Sequence, residues 1–332
     1  MTEYHRPIVQ HGPARPANAL PLAGGPLWFT HVEILSRQAG PRVVAAHDLA
    51  EDVQARLSGA REPIAGLDMG GPHIMGILNA TPDSFSDGGQ HATVEAARAS
   101  ARQMVAHGAS ILDVGGESTR PGADFVPIET EIARTAPIIS AIAAESDTLI
   151  SIDTRKSEVA AAALNAGAGM VNDVSGFTFD SDLAPLSVAR SVPVCVMHAQ
   201  GDPETMQDDP HYDDVLLDVF DFLRNRIVHL AGAGIPGDQI VADPGIGFGK
   251  TLDHNLALLR NIGFFHDLGV PILLGASRKR FIGTIAQEPR ADARAPGSIA
   301  VALAALAQGV QIIRVHDVTE TAQALRLWSA VR

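Results

Sequence analysis

The chain has little cysteine, little positive charge and no long apolar run, and each shortage argues against a class of protein. Cys195 is the single cysteine in 332 residues, so an intramolecular disulfide framework is impossible and a reducing cytoplasm is the expected location. The formal net charge is −13, which argues against nucleic acid or an acidic membrane surface as partner. No stretch of about 18 apolar residues occurs, and acidic Glu3, with no apolar core near it, argues against a signal peptide.

These shortages also constrain the residues that are present. Cys195 lies within the apolar run Val192 to Met197, where a small buried residue is a better interpretation than a nucleophile. A negatively charged ligand must be held by local cations, because the overall charge of the chain does not attract it.

The stretch from Met75 to Gly89 indicates where a site begins. An apolar run that ends at Leu78 is followed by polar Asn79 and by a loop rich in Thr, Pro, Asp, Ser and Gly. A buried strand that delivers a polar side chain at its carboxyl end is typical of a site. For this segment alone, an ordinary strand whose asparagine starts a turn is an equally good interpretation.

The same pattern of apolar run, polar loop and amphipathic segment recurs along the chain. The apolar runs predict strands at 73–78, 110–114, 148–152, 169–171, 192–197, 239–242, 270–274 and 311–315. The amphipathic segments predict helices at 93–107, 128–145, 156–166, 212–233, 253–262, 296–308 and 317–331. Eight such units in about 260 residues predict an α/β fold of the (β/α)8 TIM barrel type, with a doubly wound sheet as the alternative.

Residues 1–70 precede the repeat and form a predicted N-terminal extension. Several prolines and glycines within 1–25 predict a loosely ordered lead-in, and the remainder of the extension predicts a small α/β appendage packed on the main body. Residues 71–332 form the predicted barrel domain.

Polar residues end or follow the predicted strands, and in a (β/α)8 barrel these positions share one mouth. They are Asn79, Asp113, Glu117 to Arg120, Asp153, Asn172, Asp173, His198, Asp243, Ser277 to Lys279, Arg314 and His316. Helix capping explains any one of them adequately, but it does not explain the arginines and the lysine.

The residues of the mouth are of two kinds. Asp153, Asn172 and Asp243 suit a flat heterocycle, because a carboxylate accepts two parallel hydrogen bonds from an N–C–N edge. Asn79 offers an oxygen ligand to a hard metal ion. The residues suited to an anion are Arg120, Lys279, Arg314 and His316. Together they predict a ring that carries a charged leaving group.

Two loops, 115–122 and 243–250, carry glycines that let the backbone approach a ligand closely. The second loop, DPGIGFGK, comes near a phosphate-loop pattern but lacks the G-x-x-x-x-G-K-[ST] spacing. Nucleotide hydrolysis is therefore disfavoured.

Eight motifs, in chain order and one per predicted strand, resemble those of the dihydropteroate synthase family, the folate-pathway enzymes that sulfonamides inhibit. The motifs are MGILNATPDSFSDGG, DVGGESTRPGA, SIDTRK, NDVSG, VMHAQG, DPGIGFGK, GASRKRFIG and RVHDV. The resemblance spans roughly residues 73–330 and leaves residues 1–70 outside.

The resemblance implies a Mg²⁺-dependent condensation of 7,8-dihydropterin-6-ylmethyl diphosphate with 4-aminobenzoate. The implied pterin-binding residues are Asp153, Asn172, Met197, Asp243 and Lys279. The implied ligands of diphosphate are Asn79, Arg314 and His316, with Asn79 also holding the metal. The implied aminobenzoate pocket, with the loops 80–89 and 115–124, comprises Phe85, Thr119, Arg120, Pro121, Phe248 and Ser277. The implied catalytic residues are Asp153, Lys279, Arg314 and His316.

Chemistry favours the same assignment. The carbon that bears the diphosphate is attached to an electron-rich ring, so its C–O bond ionises once Mg²⁺, Arg314 and His316 neutralise the leaving group. Asp153 offsets the cation that develops on the ring. An arylamine is neutral at pH 7 and needs no strong base, and loops that exclude water protect the cation.

Three alternatives remain at this point. A pterin-binding methyltransferase barrel would have no need of Arg314, His316 or the SRK motif. A catalytically silent homologue would be expected to lack Asn79, Lys279 or Arg314, and all three are present. A metal-hydrolase barrel would need ligand spacing that the scattered histidines do not have, namely His198, His211, His229, His254 and His266.

The predicted helix 296–308 has apolar residues on nearly every face. An outer barrel helix needs only one apolar stripe, so the surplus predicts a second packed surface and a homodimer. The family resemblance implies the same.

Overall fold

The protein, described here by a computed structural model, is defined for residues 2–80, 89–118, 123–201 and 205–331. The elements of its extension are β1 (Tyr4–Pro7), β2 (Leu20–Pro21), β3 (Trp28–Phe29), β4 (His31–Leu35), β5 (Arg42–Ala45) and helix α1 (Glu51–Ser58). Strand β4 pairs antiparallel with β1 and β5, and β2 pairs antiparallel with β3. No strand was predicted within the loosely ordered lead-in of residues 1–25, so β1 and β2 were missed. The division of the chain at residue 70 stays a prediction.

Contacts with distant residues hold β1 in place. The Tyr4 side chain is 2 % exposed, and its ring lies 5.4 Å from that of Phe220 and 6.1 Å from that of Phe264. Asp267 accepts hydrogen bonds from the His5 backbone N–H and from Arg56 Nε, both at 2.9 Å. Because these partners come more than 200 residues later in the chain, local sequence pattern gives no sign of them.

Parallel strands alternating with helices form the barrel. Its strands are β6 (His73–Asn79), β7 (Ile111–Gly115), β8 (Leu149–Asp153), β9 (Met170–Asp173), β10 (Val194–Met197), β11 (Ile240–Asp243), β12 (Leu273–Leu274) and β13 (Ile312–Val315). Its helices are α2 (Gly89–His107), α3 (Ile128–Ala143), α4 (Ser157–Ala166), α5 (Leu183–Arg190), α6 (Val215–Ala233), α7 (Leu252–Arg260), α8 (Arg280–Ala286), α9 (Ala295–Leu306) and α10 (Val318–Val331). The predicted helices did not include α5 or α8.

The eight strands lie in the order β11-β10-β9-β8-β7-β6-β13-β12. A parallel bridge between Ala242 and Ile272 joins the two ends of this sheet, where Ala242 N donates to Pro271 O at 3.0 Å. The predicted (β/α)8 TIM barrel is therefore confirmed. No helix in the described ranges is both long and apolar enough to cross a lipid bilayer.

The amino end of the barrel interior is apolar and is closed by the extension. One inward residue comes from each strand: Met75, Ile111, Leu149, Met170, Cys195, Val241, Leu273 and Ile312. Ile64 and Met69, from the end of the extension, pack against this layer. Cys195 is buried within it, as predicted, and burial raises the pKa of its thiol. The extension thus acts as the plug of the barrel.

Candidate active site

A guanidinium between two carboxylates forms the floor of the barrel mouth. Arg314 on β13 donates from Nε to Asp113 Oδ2 at 2.6 Å and from an Nη atom to Asp153 Oδ2 at 2.7 Å. Asn172 Nδ2 donates to the same Asp113 oxygen at 3.2 Å. Three of the predicted residues are therefore together, and Asp113, which was predicted at the mouth without a binding role, is what joins them. Its position in the middle of an apolar strand was the available signal.

Burial raises the free-energy cost of keeping the side chains of this cluster charged. Burial raises the pKa of Asp153, and Arg314 opposes the rise while Asp113 adds to it. Burial lowers the pKa of Arg314, but the two carboxylates more than reverse this effect, so the guanidinium remains charged. Asp113 Oδ1 and Asp153 Oδ1 are buried and have no hydrogen-bond partner among the described residues. A ligand with N–H donors would satisfy such oxygens.

Asp243 supplies another buried acceptor at the end of β11. Its Oδ1 accepts from Gly245 N at 2.7 Å, which fixes the orientation of the carboxylate. Burial raises its pKa to about 6, while the Gly245 N–H, Lys279 and Arg314 act in the opposite direction. Asp243 pairs in register with Met197 on β10, so this methionine, one of the implied pterin-binding residues, lies on the neighbouring strand.

Asp173 does not belong to the mouth, and its predicted place there was wrong. Side chains alternate along a strand, so Asn172 faces inward and Asp173 faces outward. Asp173 accepts from the backbone N–H groups of Ser175 and Phe177, both at 2.7 Å. It therefore shapes the loop after β9.

The cationic side of the mouth is built from the ends of β12 and β13. Ser277 Oγ lies 3.0 Å from His316 Nδ1 and 3.2 Å from His316 N. Lys279 Nζ lies 4.0 Å from the centroid of the Phe248 ring, within range of a cation–π interaction. The predicted residues Ser277, Lys279, His316 and Phe248 are thus brought together in two adjoining pairs.

Arg278 points away from this group, so its predicted place in the mouth was also wrong. Its backbone is left-handed, with a φ of 59°, and its Nε donates to Asp317 Oδ2 at 3.0 Å. The turn directs Arg278 to the neighbouring strand end while Ser277 and Lys279 remain at the mouth.

The loops after β7 and β8 are joined by a buried lysine that the sequence did not single out. Lys156 Nζ donates to Glu117 Oε1 at 2.9 Å, to Glu131 Oε2 at 2.7 Å and to Val126 O at 2.6 Å. These partners are 25 to 39 residues away in the chain, so no local pattern indicated them. The network fixes Glu117 and Val126, the two sides of the predicted aminobenzoate loop.

Some predicted residues cannot be placed. Phe85, Thr119, Arg120 and Pro121 lie outside the described residues. Asn79 ends β6, half-buried, and pairs in register with Gly115. In the part of the chain that the structure defines, no three His, Cys, Asp or Glu residues cluster as a metal site would require.

Comparisons with known proteins agree with this geometry. A family model described as pterin binding enzyme matches residues 75–316. Dihydropteroate synthase of Escherichia coli is 45 % identical over 264 residues, which cover 80 % of this chain and 93 % of that protein.

Solved structures give the same result. Dihydropteroate synthase of Xanthomonas albilineans with 4-aminobenzoic acid is 45 % identical, with a TM-score of 0.76, and the match covers 82 % of this chain and 97 % of that one. The Yersinia pestis dihydropteroate synthase in a sulfonamide drug complex is 42 % identical, also with a TM-score of 0.76, over 80 % of this chain and 96 % of that one. This chain therefore belongs to the dihydropteroate synthase family of pterin-binding enzymes.

Proposed function

We propose that the protein joins 7,8-dihydropterin-6-ylmethyl diphosphate to 4-aminobenzoate, giving 7,8-dihydropteroate and diphosphate for folate biosynthesis. The observation that carries the proposal is the convergence of buried acceptors on β7, β8, β9 and β11 with the cations Arg314 and Lys279 at one barrel mouth. This arrangement suits a donor-rich ring on one side and an anion on the other. The X. albilineans relative with bound 4-aminobenzoic acid supports the second substrate.

The acceptors would hold the pterin. Asp243, oriented by the Gly245 N–H, accepts hydrogen bonds from two N–H groups on the N–C–N edge of the pterin. Asn172 and Asp153 bind other polar groups of the ring, and Met197 packs beneath it. Lys279, whose Nζ lies over the face of the Phe248 ring, completes the pterin site. Asp113 holds Arg314 and Asn172 in position.

Arg314 and His316 would bind the diphosphate. Arg314 has five N–H donors and uses two of them on Asp113 and Asp153, so others remain for phosphate oxygens. Mg²⁺ fits the residues present, because this ion commonly takes only one or two protein oxygens and completes its shell with phosphate and water. Asn79 would supply that oxygen, and the bound ion would add positive charge at the leaving group.

The residues of this chain favour ionisation before attack. Arg314 and His316 stabilise negative charge on the departing diphosphate, while the Asp153 carboxylate stabilises the cation left on the pterin. The neutral amino group of 4-aminobenzoate then forms the C–N bond and loses a proton. Phe248 and Ser277 would form the described part of the aminobenzoate pocket. Phe85, Thr119, Arg120 and Pro121 complete the proposal from outside the described residues.

Release of diphosphate provides the test. Diphosphate formation from the dihydropterin diphosphate should depend strictly on added 4-aminobenzoate and on Mg²⁺, with one diphosphate per dihydropteroate. Release at the same rate without 4-aminobenzoate would contradict the proposed transfer. Transfer of a methyl group to a corrinoid protein would favour the methyltransferase alternative.

The proposal includes a homodimer in the cytoplasm. Helix α10, which packs beside α9, carries Leu327 and Val331, whose exposed fractions are 66 % and 73 %. Large apolar side chains with this exposure support a second packed surface on the late helices. A monomeric mass by light scattering at micromolar protein would contradict the dimer. The single, buried Cys195 suits a reducing compartment.

A further inference from the structure

Lys250 is a buried cation to which the proposed function assigns no role. Its side chain is 3 % exposed. Its Nζ lies 2.8 Å from His198 Nδ1, 2.8 Å from Gly245 O and 2.9 Å from Phe248 O. A fourth acceptor, His198 O, lies at 3.4 Å, so all three N–H donors of the ammonium have partners, although burial lowers the pKa of Lys250 to about 7.

The loop that surrounds this ammonium is packed backbone to backbone on the segment after β10. Gly245 and Gly249 have positive φ values of 68° and 60°. A Cβ at Gly245 would lie 1.9 Å from His198 O, and a Cβ at Gly249 would lie 2.4 Å from Gln200 O. No side chain fits at either position. The loop carbonyls Gly245 O and Phe248 O instead accept hydrogen bonds from Lys250, which belongs to the same loop.

Phe248 depends directly on this arrangement. Its carbonyl accepts from Lys250, and its ring faces Lys279 at 4.0 Å. The carbonyl of the next residue, Gly249 O, accepts a hydrogen bond from Tyr212 OH at 2.7 Å. Without the ammonium, the Phe248 carbonyl would lose this partner, and the backbone of Phe248 would keep only the bond from its N–H to Gly245 O at 3.2 Å.

The other side of the contact is held by the barrel sheet as well as by Lys250. His198 N donates to Asp243 O at 3.0 Å, continuing the β10–β11 ladder that places Met197. Burial and Lys250 lower the pKa of His198 well below its usual value, so the ring is neutral and its Nδ1 accepts a hydrogen bond from Lys250 Nζ. Loss of Lys250 should therefore displace Phe248 more than Met197.

We propose that Lys250 is a positioning residue that sets the separation between the pterin floor at Met197 and the aminobenzoate wall at Phe248. The inference rests on the proposed function, because formation of the C–N bond needs the arylamine nitrogen close to the pterin methylene carbon. A displacement of about 1 Å in such a pair costs on the order of 100-fold in rate.

Lys250→Met tests this role, because methionine nearly preserves length and removes all three donors. The KM for 4-aminobenzoate should rise about tenfold or more and kcat should fall by up to about 100-fold. The affinity for the pterin substrate, measured by calorimetry, should fall less than that for 4-aminobenzoate, because Gly245 N still donates to Asp243 although the nearby charge of Lys250 is lost. A merely structural lysine would not produce this split between the two substrates.

Two controls separate positioning from general loss of stability. Asp267→Asn weakens the contacts of the extension, far from the mouth, and should lower the melting temperature without changing either KM. A double-mutant cycle with Phe248→Ala asks whether Lys250 acts through Phe248. In the Phe248→Ala background, Lys250→Met should change the aminobenzoate KM by less than about twofold, within the additivity error of about 0.5 kcal/mol.

Equal losses of affinity for both substrates, or additive effects in the cycle, would overturn the inference. If Lys250→Met does not fold, Lys250→Gln, which keeps two N–H donors, is measured in its place. It should weaken 4-aminobenzoate more than the pterin substrate. The proposed function fails separately, since in that case the wild-type protein itself would not couple diphosphate release to 4-aminobenzoate. Direct binding of labelled 4-aminobenzoate in the presence of Mg²⁺ and diphosphate measures the Lys250 effect without turnover.

Discussion

The two ends of the barrel interior are filled by opposite chemistry, although the same strands supply both. Strand β7 places Ile111 in the apolar layer at the amino end and Asp113, two residues later, in the mouth. Strand β13 does the same with Ile312 and Arg314. The amino end is closed by apolar packing, whereas the mouth keeps charged groups buried with unused hydrogen-bonding capacity. One end stabilises the fold and the other end is built to bind.

The largest expected effect of breaking this division is on binding. Asp243→Asn keeps the shape of the side chain but removes the charge that is proposed to pair with the pterin N–C–N edge. The loss of a buried charge-assisted pair should weaken pterin binding by about 2–5 kcal/mol. Calorimetry with the pterin substrate measures the change, and unchanged affinity would count against placing Asp243 at that edge.

The sequence predicted much of this mouth because strand periodicity is a local signal. The apolar runs located the strands, and the polar residues that follow or lie within these runs identified Asn172, Asp243 and Arg314 at the mouth. It could not decide which of two adjacent polar residues faces inward, as Asp173 and Arg278 demonstrate. That choice depends on strand register and on a left-handed turn, which involve distant partners.

Substitutions at the apolar amino end of the barrel should change the stability of the fold and leave catalysis unchanged. Ile64 is fully buried against the apolar layer, so Ile64→Ala leaves a cavity and should lower the unfolding free energy by about 2–5 kcal/mol. Both KM values should remain those of the wild type. Chemical denaturation measures the loss, with Val43→Ala in the same extension as the control, because Val43 is 56 % exposed.

A change in KM with Ile64→Ala would contradict the division between the two ends. The role of the extension itself was beyond sequence reasoning. Its first strand is held by Phe220, Phe264 and Asp267, and such pairs become visible only when the chain is folded. Lys156 and its partners were missed for the same reason.

The pH dependence of stability sharpens the comparison, because the apolar end does not titrate. Burial raises the pKa of Asp243 from the ordinary 3.8 to about 6. Between these values the folded state retains a proton that the unfolded state has lost, so stability falls as the pH rises through this window. Above it the group destabilises the fold by about 3 kcal/mol, from 1.4 kcal/mol per pKa unit.

The measurement is the difference in unfolding free energy between Asp243→Asn and wild type from pH 4 to 7. The difference should grow in favour of the variant up to about pH 6 and then stay constant. Pterin affinity of the wild type should rise over the same window, because the ionised carboxylate is the better acceptor. A difference in stability that does not vary with pH would contradict the raised pKa of Asp243.

The smallest expected effect concerns coupling within the mouth. Ser277, on the proposed aminobenzoate side, shares hydrogen bonds of 3.0 Å and 3.2 Å with His316, on the proposed diphosphate side. Diphosphate and Mg²⁺ that fix His316 should therefore also fix Ser277.

A sulfonamide or 4-aminobenzoate should consequently bind weakly to the protein alone and at least about tenfold more tightly with diphosphate and Mg²⁺ present, a coupling of about 1.4 kcal/mol. Titration of labelled 4-aminobenzoate in the two conditions measures this ratio. Ser277→Ala should reduce the ratio, because it removes the hydroxyl that links the two subsites. Equal affinity in both conditions would mean that the aminobenzoate pocket is complete before the first substrate binds, and that the bond between Ser277 and His316 orients side chains without coupling the two sites.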